Sequence, residues 1–188
     1  MEENKSLNKE ENEGKKAAVV GRIRALSPAE RAALRRNAGR PLSAADGRAL
    51  MALFRALPPA QEDKHKWFTV LTIACLWDID EAKETASLPQ MLRAYAAARE
   101  SSGMDSRVRS LLDTRWENDG FLAAKLTRLA RMLRADNRLA MPDMDQLLKD
   151  LRYWNSDGRA AQIRWADEYF LRFSIQNQNT KEESSNVD

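Results

Sequence analysis

A single histidine, His65, and a single cysteine, Cys75, set the limits on side-chain catalysis in this 188-residue chain. A structural zinc site takes four nitrogen or sulfur ligands, which one His and one Cys cannot supply. A Ser-His-Asp or Cys-His arrangement has to use His65. That residue sits between Lys64 and Lys66 near a helix start and reads as an exposed helix position. The acidic run Asp78-Ile79-Asp80-Glu81 with Glu84 invites comparison with a calcium loop, which needs Gly at its sixth position and Glu at its twelfth. Here those positions hold Lys83 and Pro89, so the run reads as a solvated inter-helix loop. No glycine spacing fits a dinucleotide fingerprint or a phosphate-binding loop. The expectation is a chain with no catalytic residue, no metal and no cofactor.

Arginine is the residue type that is both abundant and clustered. From Arg22 to Arg55 there are eight arginines against Glu30 and Asp46 as the acids, and from Gly103 to Ala140 eight basic residues face five acids. The guanidinium fork suits phosphate oxygens. In the helical pattern Gly120–Ala135, steps of about 100° place Leu122, Leu126, Leu129 and Leu133 within roughly a 60° arc, while Arg128, Arg131 and Arg134 span about the opposite third of the wheel. Three exposed arginines with few intervening acids form a candidate phosphate track; an amphipathic helix with a solvated outer face gives the same pattern. Arg31 and Arg35 lie one turn apart on a second helix, flanked by Arg36, and a third group is Arg107 with Arg109. The last two point about 200° apart on a helix, so one groove cannot take both, and Arg107 is favoured. The candidate nucleic-acid ligands are therefore Arg31, Arg35, Arg36, Arg107, Arg128, Arg131 and Arg134. No aromatic residues interleave with them, and Trp67, Trp77, Trp154 and Trp165 sit among apolar neighbours. Backbone contact without sequence preference is expected, rather than base stacking.

The elements that carry these arginines are helices. Ala, Leu, Arg and Met abound, β-branched residues are few, and no Asn-Gly hairpin signal occurs. Stop and start signals divide the chain into about eight helices. Ser27-Pro28-Ala29-Glu30 is a capping box with Pro at the first helical position, Ser43–Asp46 caps the next helix, and Ser87–Gln90 forms a further box. Asp119 and Asp157, each before a glycine, read as N-caps. The pattern Glu62–Trp77 is apolar on nearly every face and reads as the central core helix. Other helices are expected near Lys16–Leu26, Ser106–Trp116, Asp143–Trp154 and Gly158–Ile175. The Ser/Gly-bearing link 100–106 marks a boundary between an N-terminal lobe, 17–100, and a C-terminal lobe, 101–175.

The ends differ from this core. Residues 1–16 and 176–188 are polar and charged, and cannot bury enough surface to offset their ordering entropy, so both read as disordered tails. The whole chain carries a formal +3. The tails carry about −1 and −2, so the remaining core carries about +6. A lone cysteine excludes an intrachain disulfide, the N-terminus shows no apolar signal region, and the run Trp67–Trp77 falls short of the roughly 20 residues of a membrane span. The expected setting is the cytoplasm, with no membrane partner.

The C-terminal pattern is distinctive. Asp143, Leu147, Leu148, Asp150, Leu151 and Trp154 follow the order D-x-x-x-L-L-x-D-L-x-x-W, and Trp165-Ala166-Asp167-Glu168-Tyr169-Phe170 closes the core. Upstream stand Arg31-Ala32-Ala33-Leu34-Arg35-Arg36 and Ser106-Arg107-Val108-Arg109-Ser110-Leu111-Leu112. In this order, over about Ala17 to Phe173, the chain resembles CasB, the small subunit of the type I-E CRISPR surveillance complex, Cascade. Met144 stands where that family more often has Trp, and Arg107-Val108-Arg109 where paired arginines are expected. The resemblance implies an all-α fold of two helical lobes. It also implies two copies per complex, lying beside the guide RNA and the other Cascade subunits, and a basic surface that holds DNA strands during R-loop formation without catalysis. Sequence is then read by guide pairing, and this subunit needs only backbone contacts. The alternative is a helical adaptor whose arginines pair with acidic partner surfaces, and a carboxylate-only hydrolase is a third class that no residue pattern requires.

Overall fold

The structure, a computed structural model, describes residues 18–59, 63–100 and 102–171; the expected tails, 1–16 and 176–188, lie outside them. Among the described residues there are nine α-helices: α1 Ala18–Arg24, α2 Pro28–Arg36, α3 Gly47–Ala56, α4 Lys64–Ala74, α5 Leu88–Arg99, α6 Ser102–Leu112, α7 Phe121–Asp136, α8 Met144–Arg152 and α9 Ala160–Ala166. A 3-10 turn, Leu42–Ala44, precedes α3, and a π-helical turn, Asp167–Leu171, follows α9. The all-α expectation holds, with one addition. Two short strands, β1 Lys83–Ala86 and β2 Ala140–Pro142, pair in parallel with a bulge between Glu84 and Ala86.

The central helix is α4. Every residue from Trp67 to Ala74 is buried, and the helix touches α1, α2, α3, α7 and α8. A helix with no polar face has to be covered on all sides. Its two buried hydroxyls bond back into the helix: Thr69 Oγ1 donates to His65 O at 3.1 Å and Thr72 Oγ1 to Thr69 O at 2.9 Å. That removes the cost of burying them unpaired. The buried apolar side chains form one cluster reaching from Val19 to Tyr169.

Local signals fix several boundaries. Ser27 and Glu30 make both halves of a capping box at α2. At α5 one half forms: Ser87 Oγ accepts from Gln90 N, while the Ser87 hydroxyl donates to the Glu168 carboxylate. Three boundaries correct the sequence reading. Asp46, not Ser43, caps α3, because its carboxylate accepts both Ala49 N and the Asn37 amide. Asp119 bonds only to Phe121 N, leaving Gly120 as N-cap of α7, and Arg159 at φ 49° stands at the N-cap of α9 in place of Asp157. The link 100–106 is shorter than expected, since Glu100 turns the chain in a left-handed conformation and α6 begins at Ser102.

The C-terminal sequence pattern is structural. Trp154 and Trp165 meet edge to face at 5.2 Å, both fully buried. The Asp150 carboxylate accepts from Trp165 Nε1 and Gln146 Nε2, each at 2.8 Å, and pairs with Arg164.

Candidate nucleic-acid interface

Helix α7 buries Leu122, Leu126, Leu129 and Leu133, as the leucine stripe predicts, and exposes Arg128, Arg131 and Arg134. Each three-residue step turns about 60° back around the axis. The three arginines therefore look toward different neighbours, and α7 becomes a wall shared by two depressions.

The first depression lies between α6 and α7. Arg107, Lys125 and Arg128 line it together with Ser106 and Ser110, over a floor of Leu129 and Met132, in a cavity of about 600 Å³. Among the described residues no acidic side chain lines it. Lys125 Nζ is held by Ser110 Oγ at 2.9 Å and Thr114 Oγ1 at 2.8 Å, and lies 4.7 Å from the Phe121 ring centre. Arg107 Nη1 touches the Met132 sulfur at 3.6 Å. Arg109, on the other side of α6, does not line the groove. Lys125 is the residue that the sequence reading missed. It stands three residues before Arg128 and continues the 128, 131, 134 series, which was the available signal.

The second depression, about 340 Å³, lies between α2 and the C-terminal half of α7 and holds Arg31, Arg35 and Arg134. Asp78 and Asp80 also line it, and Arg31 Nη1 pairs with Asp80 Oδ2 at 2.8 Å. Cys75 lies in its wall; burial pushes its thiol up to about 12, against the smaller downward pull of Arg31 and Arg35. A thiol in that state is no nucleophile at neutral pH.

Between the two depressions Arg131 Nη2 donates to Ala38 O at 3.3 Å, tying α7 to the loop after α2. Two close approaches support the same seam: Gly39 packs against Thr127, and Gly120 against Pro41. Arg36 is set apart. It is exposed, and its charge adds only a small pull to Asp46, whose carboxyl is held below its usual value first by the Asn37 amide and then by Ala49 N–H. The structure thus brings together Arg107 with Arg128, and Arg31 with Arg35 and Arg134, places Arg131 between them, and leaves Arg36 outside both groups.

The other sequence candidates give no site. His65 is half-buried rather than exposed, at the start of α4 beside Trp116. Among the described residues no group of three or more His, Cys, Asp or Glu side chains could hold a metal ion, and no helix is long and apolar enough to cross a membrane.

Residues 30–170 match the family described as CRISPR-associated protein Cse2. No curated protein matched the chain. Among solved structures, M. ruber CasB shares the fold at a TM-score of 0.64, with 19% identity over 90% of this chain and 97% of that one. A Cse2-family CRISPR-associated protein from Thermus thermophilus gives a TM-score of 0.64 at 25% identity, over 81% of this chain and 95% of its own. A chain of a CRISPR RNA-guided surveillance complex gives 0.65 at 22% identity, over 87% and 94%. With the match spanning most of the helical core, the chain belongs to the Cse2 family of CRISPR-associated proteins.

Proposed function

We propose that this chain is a non-catalytic subunit of a type I-E CRISPR surveillance complex. In that role it holds nucleic-acid backbone, at guide, target or displaced strand, while the R-loop forms. The observation that carries the reading is the α6–α7 depression, where Arg107, Lys125 and Arg128 converge with no acid among them. The second depression extends the basic path to Arg31, Arg35 and Arg134, and joins the two expected lobes, 17–100 and 101–175. Because base pairing with a guide carries sequence information in such complexes, phosphate contacts suffice here.

The test is fluorescence anisotropy of the chain with labelled single-stranded oligonucleotides across a salt series. Counterion release sets a log–log slope of about −0.7 per phosphate on single strands. Arg107→Ala with Arg128→Ala should weaken binding equally across sequences and reduce the slope by about 1.4. A salt-independent affinity, or an unchanged slope in the double variant, would overturn the assignment. Arg128→Glu with Arg131→Glu should weaken binding further, with the added loss of the Ala38 contact. Membership of the complex is tested separately, by co-purification of the intact chain with the other subunits.

A further inference from the structure

Helix α3 has two apolar sides, and the described residues cover only one. Ala49, Ala52, Leu53 and Ala56 are buried against the core. On the opposite side Leu50, Met51 and Phe54 fall within about a 100° arc. Met51 is 58% exposed and Phe54 59%. A helix apolar on both sides is normally covered on both, and an i, i+3, i+4 set of anchors is how one helix face receives another. Three cations stand around this face. Arg48 is exposed at the start of α3, Arg55 stands beside the stripe, and Lys64 Nζ lies 5.6 Å from the Phe54 ring centre. Arg55 also meets the largely covered Glu30 at 2.7 Å.

We propose that the Leu50–Met51–Phe54 face of α3 is a docking surface for a protein segment whose apolar side chains are flanked by Asp or Glu, supplied by another subunit of the particle. This rests on the place in a multi-subunit complex proposed above. Charge complementarity selects the occupant: an apolar ridge covers Met51 and Phe54 while its carboxylates meet Arg48, Lys64 and the outer edge of Arg55. A nucleic-acid strand would satisfy the cations and leave the apolar middle wet. A second copy meeting it through the same face would oppose one cationic rim to another, a like-charge juxtaposition that disfavours pairing.

The experiment places a photo-crosslinking amino acid at Met51 of the full chain within the assembled complex and identifies the captured peptide. A segment of another subunit carrying apolar residues flanked by Asp or Glu supports the proposal. Capture of a second copy, of residues 1–17 or 172–188 of the same chain, or of nucleic acid overturns it, as does no capture from an assembled particle. Met51→Glu with Phe54→Glu should lower co-assembly at least tenfold while the oligonucleotide affinity of the isolated chain stays unchanged. Arg48→Glu, at an exposed position in the first turn where an acid favours the helix, folds safely and should lower co-assembly as well; unchanged assembly in both variants refutes the docking surface. Failure of the unmodified chain to assemble would instead refute the complex membership on which the proposal rests.

Discussion

The seam between α2 and α7 decides whether the two arginine groups share one surface, and the glycines in it give a graded test. Gly120 has φ +85°, and a Cβ built there would lie 2.8 Å from Pro41 N and 2.9 Å from its Cδ. The left-handed backbone costs a side chain about 1–2 kcal/mol, and displacing packed backbone about 1–3 kcal/mol more. Gly120→Ala should therefore destabilise by about 2–5 kcal/mol, or roughly 4–20 °C in Tm for a domain of this size. Gly39 has φ +87°, but a Cβ built there would meet Thr127 only at 3.4 Å, so Gly39→Ala should cost the backbone strain alone, about 1–2 kcal/mol. At Gly158, where nothing lies within 4 Å of a Cβ, alanine should stay within about 0.5 kcal/mol of neutral. Urea unfolding of the three variants, followed by circular dichroism, reads the order directly. Equal midpoints for Gly120→Ala and Gly158→Ala would refute the claim that the Pro41 contact holds this seam.

Asp150→Ala should cost about 3–5 kcal/mol in urea unfolding, because it leaves Trp165 Nε1 without its acceptor and Arg164 without one of its two carboxylate partners. Glu84 accepts from Met144 N at 2.7 Å, and burial, helped by Asp143 and Asp145, pushes its carboxyl from the ordinary 4.5 to about 7. The folded state then holds a proton that the unfolded state releases, so this contribution is full below about pH 4.5 and fades as pH rises through about 7; a stability–pH profile of Glu84→Gln should lack that decline, and an unchanged profile would exclude Glu84 as its source. Asp80→Asn releases Arg31 and removes one negative charge from the second depression; single-strand binding should tighten a few-fold at low salt and the salt slope steepen by up to about 0.7. No change in either would remove the second depression from the phosphate path.

The legible parts of the fold are those where neighbouring residues settle the matter. The Ser27–Glu30 box starts α2 as its spacing predicts, and the leucine stripe of α7 is the buried one. The unbroken apolar run of α4 marks it as the central helix, since no face of it can meet water cheaply. What eluded the sequence depends on distant partners. Strands β1 and β2 are three or four residues long and pair with partners more than 50 residues away, with Lys83 N reaching Leu139 O and Asp143 N reaching Ala86 O at the ends of the ladder. Ser43 matches a capping pattern as well as Asp46 does, but the Asn37 amide, contributed by the end of α2, selects Asp46.

The candidate site divides in the same way. That Arg128, Arg131 and Arg134 leave the core follows from α7 alone. Their division between two neighbours follows from the packing of α6 and α2, which no local pattern specifies. The charge count failed more instructively. Along the sequence, Arg22 to Arg55 is rich in arginine with two acids, yet in space Asp78 and Asp80 enter the depression beside Arg31 and Arg35. Coulomb energy follows distance, and a carboxylate a few ångströms from a guanidinium cancels most of its field beyond a Debye length of about 8 Å. On the proposed reading the two depressions therefore do unequal work. Three cations without an acid grip the backbone between α6 and α7, while three cations offset by two carboxylates guide it along α2.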